Sequence, residues 1–299
     1  MKILSFGSMN IDNTYSVDEF VQPGETITAK NLSKFCGGKG LNQSIALASA
    51  GADVAHFGCV GEDGDILLDM LKSRGVNTDS VIKIDNITSG HAIIQVDSHG
   101  QNSILLYPGA NRRMTPELID RELEKYSCGD WLLIQNETNC LEYIMRAANK
   151  KGMKIAFNPS PMDGTVSTLP LELVDLFLVN EIEGAAVTGK EITEEITAEF
   201  EKLFPNAAVI LTLGKKGSIF KSEKDMLFQP SYCGTVKDTT GAGDTYTGFF
   251  IANYIKGVSP QECMRIAAMA STVQISRDGA AIAIPKKQEV LNALKNHCR

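Results

Sequence analysis

Residues 2–7 form a short apolar run ending at Gly7-Ser8, the pattern of a buried strand. Val54 to Val60 repeats it, and a helical pattern at 65–74, closed by Gly75, follows. Further on, strand-like runs at 131–135, 153–158, 175–179 and 207–213 enclose helical stretches at 138–151 and 181–188, with another helix at 115–126 before them. Regular alternation of this kind predicts an α/β fold: a doubly wound, mostly parallel, Rossmann-like sheet flanked by helices. Two regions depart from it. Residues 26–35, after a Pro23-Gly24 turn, are extended and partly alternating, and 90–97 with 101–107 read as a hairpin around His99-Gly100. These segments predict a small antiparallel sheet, a lid built from about 13–36 and 90–108, set on a single domain covering 1–299. Near the C-terminus, Ser259-Pro260-Gln261-Glu262 has the cap, the proline and the glutamate of a helix start, and a last helix spans about 286–296.

Two glycine-rich stretches interrupt the pattern where helices should begin. In Asp238-Thr239-Thr240-Gly241-Ala242-Gly243-Asp244, small residues precede about three turns of helix. A helix N-terminus there would offer unpaired N–H groups and the positive end of the dipole to an anion. Asp244 would repel that anion, yet it is well placed to take a proton from a hydroxyl attacking phosphorus. The plainer reading is that Asp238 or Thr240 is an N-cap and Asp244 complements the dipole. The second stretch, Cys36-Gly37-Gly38-Lys39-Gly40-Leu41-Asn42-Gln43, opens a helix rich in Ala and Ser and puts Lys39 and Asn42 on one face. It is not a Walker A loop, since Ser33 and Gly40 stand where Gly and a hydroxyl residue are required, and neither stretch gives G-x-G-x-x-G.

Polar residues follow several strands, where ligands of open parallel sheets bind. Asn10 and Asp12 follow the first, or close it as an Asx turn. Glu137 follows 131–135, and Thr212-Leu213-Gly214-Lys215-Lys216-Gly217 ends 207–213. Asn180 with Glu183 is a capping-box spacing as well as a possible pair near Mg²⁺ and phosphates, and both readings stand at this point.

Composition narrows the class of partner. The 299 residues carry 29 basic and 36 acidic side chains, a net charge of −7, with no basic run, so nucleic acid is not an expected partner. No segment reaches the ~18 apolar residues of a membrane span. Seven cysteines, at 36, 59, 128, 140, 233, 263 and 298, form no C-x-x-C pair and suit free thiols in the cytoplasm.

With both glycine stretches in hand, the chain resembles the ribokinase branch of the PfkB-type carbohydrate kinases over essentially its whole length. Gly37-Gly38-Lys39-Gly40-Leu41-Asn42-Gln43 is similar to the family's first signature, Asp238 to Asp244 to its second, and Asn180-Glu181-Ile182-Glu183 to its N-x-x-E motif. Pro108-Gly109-Ala110-Asn111 and Asn158-Pro159-Ser160-Pro161 are similar to ribokinase-branch segments. The resemblance implies ATP-dependent phosphorylation of the primary hydroxyl of a furanose, with D-ribose the first choice. Asn10, Asp12, Gly38, Lys39, Asn42 and Glu137 would hold the sugar, and Asp244 would be the catalytic base. The amides of Gly241, Ala242 and Gly243 would form the anion hole, Asn180, Thr212, Gly214 and Gly217 would line the ATP site, and Glu183 would act near Mg²⁺ through water.

The resemblance also implies a homodimer through the lid and K⁺ activation at positions matching Asp238, Thr240, Gln274, Arg277, Gly279 and Ala283. Several of those ligands are backbone carbonyls, for which side-chain identity matters little. At the last position the family often has Ser, and Ala283 offers no hydroxyl. Other readings remain open on sequence: the same chemistry on deoxyribose, a ketohexose or a nucleoside, or a sugar-binding regulator without turnover. Asp244 beside an intact Gly-Ala-Gly argues against the latter.

Overall fold

The computed structural model describes residues 1–297; Cys298 lies outside the described residues. The chain begins with β1 (Ile3–Phe6), β2 (Asn10–Ser16), β3 (Asn31–Gly37), α1 (Lys39–Ser49), β4 (Val54–Val60) and α2 (Asp65–Ser73). Then come β5 (Val81–Lys83), β6 (Gly90–Val96), β7 (Asn102–Tyr107), α3 (Pro116–Leu123), β8 (Trp131–Gln135), α4 (Leu141–Lys150) and β9 (Lys154–Asn158). The last third holds β10 (Leu176–Asn180), α5 (Glu181–Thr188), α6 (Thr193–Leu203), β11 (Ala208–Thr212), β12 (Ser218–Lys221) and β13 (Met226–Gln229). Helices α7 (Ala242–Tyr254), α8 (Pro260–Ile275) and α9 (Lys287–His297) complete it.

Nine strands form the main sheet in the order β13-β12-β11-β10-β9-β8-β1-β4-β5, parallel except at the antiparallel β11-β12-β13 end. The four strands expected at 131–135, 153–158, 175–179 and 207–213 lie within one residue of β8 to β11. Their side chains divide between two cores. Ile3, Leu133 and Ile210 face α1, α7 and α8, while Leu4, Leu132 and Leu211 face α3, α4 and α6. Both faces are thus covered, and the strands read as unbroken apolar runs.

Helix α7 is buried all round from Asp244 to Asn253, because it runs between α1 and α8. Gly248 permits this: a Cβ there would lie 2.3 Å from Ala46 Cβ and 2.7 Å from the Leu47 nitrogen. The contact brings the helices that start at the two glycine stretches against each other.

A second sheet, β3-β2-β6-β7, stands apart, antiparallel in both outer pairs and parallel between β2 and β6. Asn10 and Asp12 lie within β2, so they do not form the alternative Asx turn. The polar sequence Asn10-Ile11-Asp12-Asn13-Thr14-Tyr15-Ser16 is extended because it is paired on both sides, to β3 and β6. Residues 26–30 of the expected 26–35 strand are not extended in a sheet, and β3 starts at Asn31. The Glu-rich α6 adds a helix with no strong sequence signal. It buries only Ile196, Thr197 and Phe200 and has no side-chain N-cap.

Gly248→Leu should separate α1 from α7 and lower stability by roughly 2–3 kcal/mol, as overpacking does. Urea denaturation measures this, and an unchanged midpoint would contradict the close helix contact.

Candidate active site

Strand order reverses between β1 and β8: the chain passes from β1 out to β4 and β5, then returns to β8 on the other side. Ligands of doubly wound sheets bind in the crevice at such a point, beyond the carboxyl ends of the strands. Ser8 and Asn10 follow β1 there and Glu137 follows β8, while Asn158, Asn180 and Thr212 end β9, β10 and β11.

Both glycine stretches deliver helix N-termini to this crevice, but their amides have different fates. At α1 the Lys39 N–H donates to Glu137 Oε2 at 2.9 Å, the Gly40 N–H to Ser8 Oγ at 3.3 Å and the Leu41 N–H to the Ser8 carbonyl at 2.9 Å. Ser8 Oγ in turn donates to Glu137 Oε2. That terminus is capped from a distance and closed to an anion. At α7 the N-cap is Gly241, left-handed at φ 77°, with no side-chain cap bond, so neither Asp238 nor Thr240 is the cap. The Ala242 N–H makes a 3.2 Å turn bond to the Thr239 carbonyl. This leaves the α7 end, unlike that of α1, without a side-chain cap, with Gly241 and Gly243 the less engaged of its amides.

Asp244, the third residue of α7, is buried. Its Oδ2 accepts from Asn42 Nδ2 at 3.0 Å and its Oδ1 from Gln43 Nε2 at 2.9 Å. Gln43 Nε2 also donates to Asn158 Oδ1 at 3.0 Å, and Gln43 Oε1 accepts from Gln135 Nε2 at 2.8 Å. Asn158 continues the chain to the Leu178 carbonyl at 2.8 Å and towards Glu183 Oε2 at 3.4 Å. A buried relay from β8 through α1 to α7 and β9 therefore fixes the carboxylate. Beside it a cleft of about 240 Å³ is lined by Lys39, Asn180, Glu183, Thr212, Gly241, Ala242, Gly243 and Asp244.

Next to the cleft the expected hydroxyl-holding residues gather in a desolvated acidic group. Burial, reinforced by the Glu137 charge, pushes Asp12 up to about 6. Burial also raises Glu137, against the opposing pull of the Ser8 hydrogen bond and the Lys39 charge. Burial by itself would lower Lys39, but the carboxylates of Asp244, Glu137 and Glu183 hold it above its ordinary value. Asn10 Oδ1 accepts from Asn111 Nδ2 at 2.7 Å, and Gly38, at a positive φ of 92°, is the N-cap residue of α1. Asn42 Oδ1 is buried with no hydrogen-bond partner among the described residues.

On the other side, Asn180 and Glu183 make the full capping box of α5, with Glu183 N–H to Asn180 Oδ1 at 2.9 Å and Asn180 N–H to Glu183 Oε2 at 3.0 Å. Glu183 nevertheless lines the cleft, so capping fixes its place without removing it. Gly214 and Gly217 lie in the turn after β11 and do not line the cleft. The remaining expected set, Asp238, Thr240, Gln274, Arg277, Gly279 and Ala283, meets in one knot below Gly241. Asp238 Oδ1 accepts from the Thr240 N–H and hydroxyl at 2.9 and 2.7 Å, and Oδ2 from the Gly279 N–H at 3.0 Å. Partial burial would raise this carboxyl, but those bonds hold it below its ordinary value.

Five residues of the site have no role assigned from sequence: Ser8, Gln43, Asn111, Gln135 and Asn158. Gln43 carried a usable signal, since it follows Asn42 in the glycine stretch. Ser8 and Asn158 end strands that point to the crevice, which is a weaker one. Asn111 and Asn158 also stand in the two segments similar to the ribokinase branch, but the role of Asn111 depends on the distant Asn10.

A family model for the pfkB family carbohydrate kinase matches residues 1–287. The chain is 33% identical over 298 residues to a ribokinase of Haemophilus influenzae, covering 97% of each. Among solved structures it is similar to the ribokinase of Thermotoga maritima, at TM-score 0.88 and 32% identity over 98% of this chain and 99% of the other. It is also similar to the Arabidopsis thaliana ribokinase complexed with ribose and ATP, at TM-score 0.85 and 30% identity over 98% of each chain.

The raised Asp12 fixes a sign for pH dependence. Its folded value of about 6 exceeds the ordinary 3.8, so the native state holds a proton the unfolded chain has lost, and stability falls as pH rises across that window. Asp12→Asn should be more stable than the parent at pH 7 by roughly 1–2 kcal/mol, a gap that closes near pH 4. Chemical denaturation at the two pH values measures it, and a gap that fails to close would contradict the burial argument.

Proposed function

Since the chain belongs to the pfkB family of carbohydrate kinases, we propose that it transfers the γ-phosphoryl group of ATP to the primary hydroxyl of D-ribose, giving D-ribose 5-phosphate and ADP. The observation that carries this reading is Asp244. It is a buried carboxylate in the first turn of α7, whose glycine-led N-terminus has no side-chain cap and lines the cleft, and two amides aim it there.

The sugar oxygen attacks the γ-phosphorus, the bond to the β,γ-bridging oxygen breaks, and the hydroxyl proton passes to Asp244. The Gly241 and Gly243 amides, with Ala242 once its turn bond opens, face the transferred group at the positive end of α7. Asn42 has two tasks, orienting Asp244 through Nδ2 and offering Oδ1 to the sugar. Asp12 and Glu137 are desolvated carboxylates that gain from neutral donors, which suits a polyol better than an anionic acceptor. Asn10 and Lys39 complete the sugar side, and Gly38 gives the backbone close access. Asn180 and Thr212 serve the nucleotide, with Gly214 and Gly217 in the turn behind them. A single carboxylate with phosphates and waters suits Mg²⁺, and Glu183 fits that part through water. When bound, Mg²⁺ neutralises charge on the phosphates.

We also infer that the sheet of β2, β3, β6 and β7 closes over the sugar as a lid, and that its outer edge joins two copies. Strand β7 is exposed along its length and carries Ile104, Leu105, Leu106 and Tyr107, an apolar edge of the kind a partner strand covers. The cytoplasm suits the six free cysteines among the described residues, and no described helix is long and apolar enough to cross a membrane.

Asp244→Asn should lower turnover by roughly 10²–10⁴-fold while the ribose dissociation constant moves little. Coupled ADP release and calorimetric ribose titration separate the two, and retained turnover would remove Asp244 as the base. The parent assayed on ribose, 2-deoxyribose, fructose, tagatose and adenosine identifies the acceptor; preference for another member would move the substrate and keep the mechanism. Leu105→Lys should shift sedimentation equilibrium from dimer to monomer, and a parent that sediments as a monomer would overturn the lid contact.

A further inference from the structure

Four successive carbonyls in the turn after α8, those of Ala281, Ile282, Ala283 and Ile284, have no backbone N–H bonded to them among the described residues. Two guanidinium groups take all four. Arg74 Nη2 donates to the Ala281 carbonyl at 3.0 Å and to the Ile282 carbonyl at 2.7 Å, and its Nη1 to the Ile284 carbonyl at 3.2 Å. Arg277 Nη1 donates to the Ala283 carbonyl at 3.4 Å, and its Nη2 pairs with Glu289 on α9.

Arg74 comes to this turn from a distant and well-anchored element. It is the C-cap residue of α2, which stops at the left-handed Gly75, and the buried Leu67 and Leu71 seat that helix in the main core. A cation at the negative end of a helix dipole is well placed, and here it spans to a turn more than two hundred residues further along the chain. A planar fork of donors suits three carbonyls at fixed angles, which an ammonium on a flexible stem does not.

The turn that Arg74 holds lies against the N-terminus of α7. The Gly279 N–H donates to Asp238 Oδ2 at 3.0 Å, and the Gln274 amide joins the Thr240 and Gly279 carbonyls. A Cβ on Gly241 would lie 3.2 Å from Ala280 Cβ, so Ala280 backs the left-handed residue that starts α7, and the carbonyls gripped by Arg74 begin at the next position. Arg74 itself does not line the cleft.

We propose that Arg74 is a positioning residue for phosphoryl transfer: by fixing the 281–284 turn it holds Ala280 against Gly241, and so holds the first α7 amides at the angle from which they meet the γ-phosphate. Its effect belongs to the phosphate side alone. The sugar side is built on β1, β2, α1 and β8, none of which touches this turn through Arg74.

The inference rests on the phosphoryl-transfer reading of the cleft, and its test uses binding as well as turnover so that the two failures can be told apart. Ribose turnover with Mg-ATP is measured well below the melting temperature, with calorimetric titrations of ribose and of β,γ-imido-ATP. Arg74→Ala should lower turnover about tenfold, since a small misplacement of positioning groups has effects of that order, and should weaken β,γ-imido-ATP severalfold while the ribose dissociation constant changes less than twofold. Arg74→Lys keeps the charge and the packed stem without the fork, so its turnover should stay severalfold below that of the parent. Full turnover in either variant would overturn the proposal, as would ribose and β,γ-imido-ATP affinities that fall together, the mark of general damage to the fold. A parent without turnover on ribose would count against the ribose reading, and the contrast between the two titrations would still decide the part played by Arg74.

Discussion

The Asp244 carboxylate, gripped by Asn42 and Gln43 across about two hundred residues of chain, is the constraint on which the rest of the site depends. A buried carboxylate without donors would take up a proton or drive the structure open. Two amides from the start of α1 satisfy it, which ties the N-terminal turn of α1 to that of α7. The close approach at Gly248 and the relay through Gln135 and Asn158 hold the same relation from the sides. Holding Asp244 and closing the core are one packing problem here.

The two glycine stretches show how similar local chemistry acquires different roles. Each starts a helix at the crevice, and each has a small residue with positive φ at the N-cap. The α1 amides are consumed by Ser8 and Glu137, so that helix contributes side chains. The α7 terminus has no side-chain cap, so that helix contributes backbone and dipole. The knot of Asp238, Gln274 and Gly279 beneath it then sets the angle at which those amides meet the cleft.

Much of the fold could be read directly. Apolar runs at 131–134 and 176–179 are strands because both faces are buried, and Ser259-Pro260 starts α8 because its side-chain and backbone chemistry is local. Elements defined by pairing were harder. Strand β2 is polar and extended only because two neighbours flank it, and α6 is held by three buried residues under a charged surface. Among site residues, Asp244 and Lys39 were legible from the motifs; Asn111 and Asn158 stood in quoted segments, but their roles were not legible, since their partners lie far away in sequence.

The sequence by itself determined the layer architecture, the two helix starts at the ligand crevice and the family, because periodicity, glycine placement and capping chemistry are properties of neighbouring residues. Tertiary structure decided which helix terminus is capped from a distance, how Asp244 is held, and what the side chain at position 274 does. A backbone-carbonyl site reads as indifferent to side chains along the chain. In three dimensions Gln274 reaches across to Thr240 and Gly279, because hydrogen bonding follows distance in space and not separation in sequence.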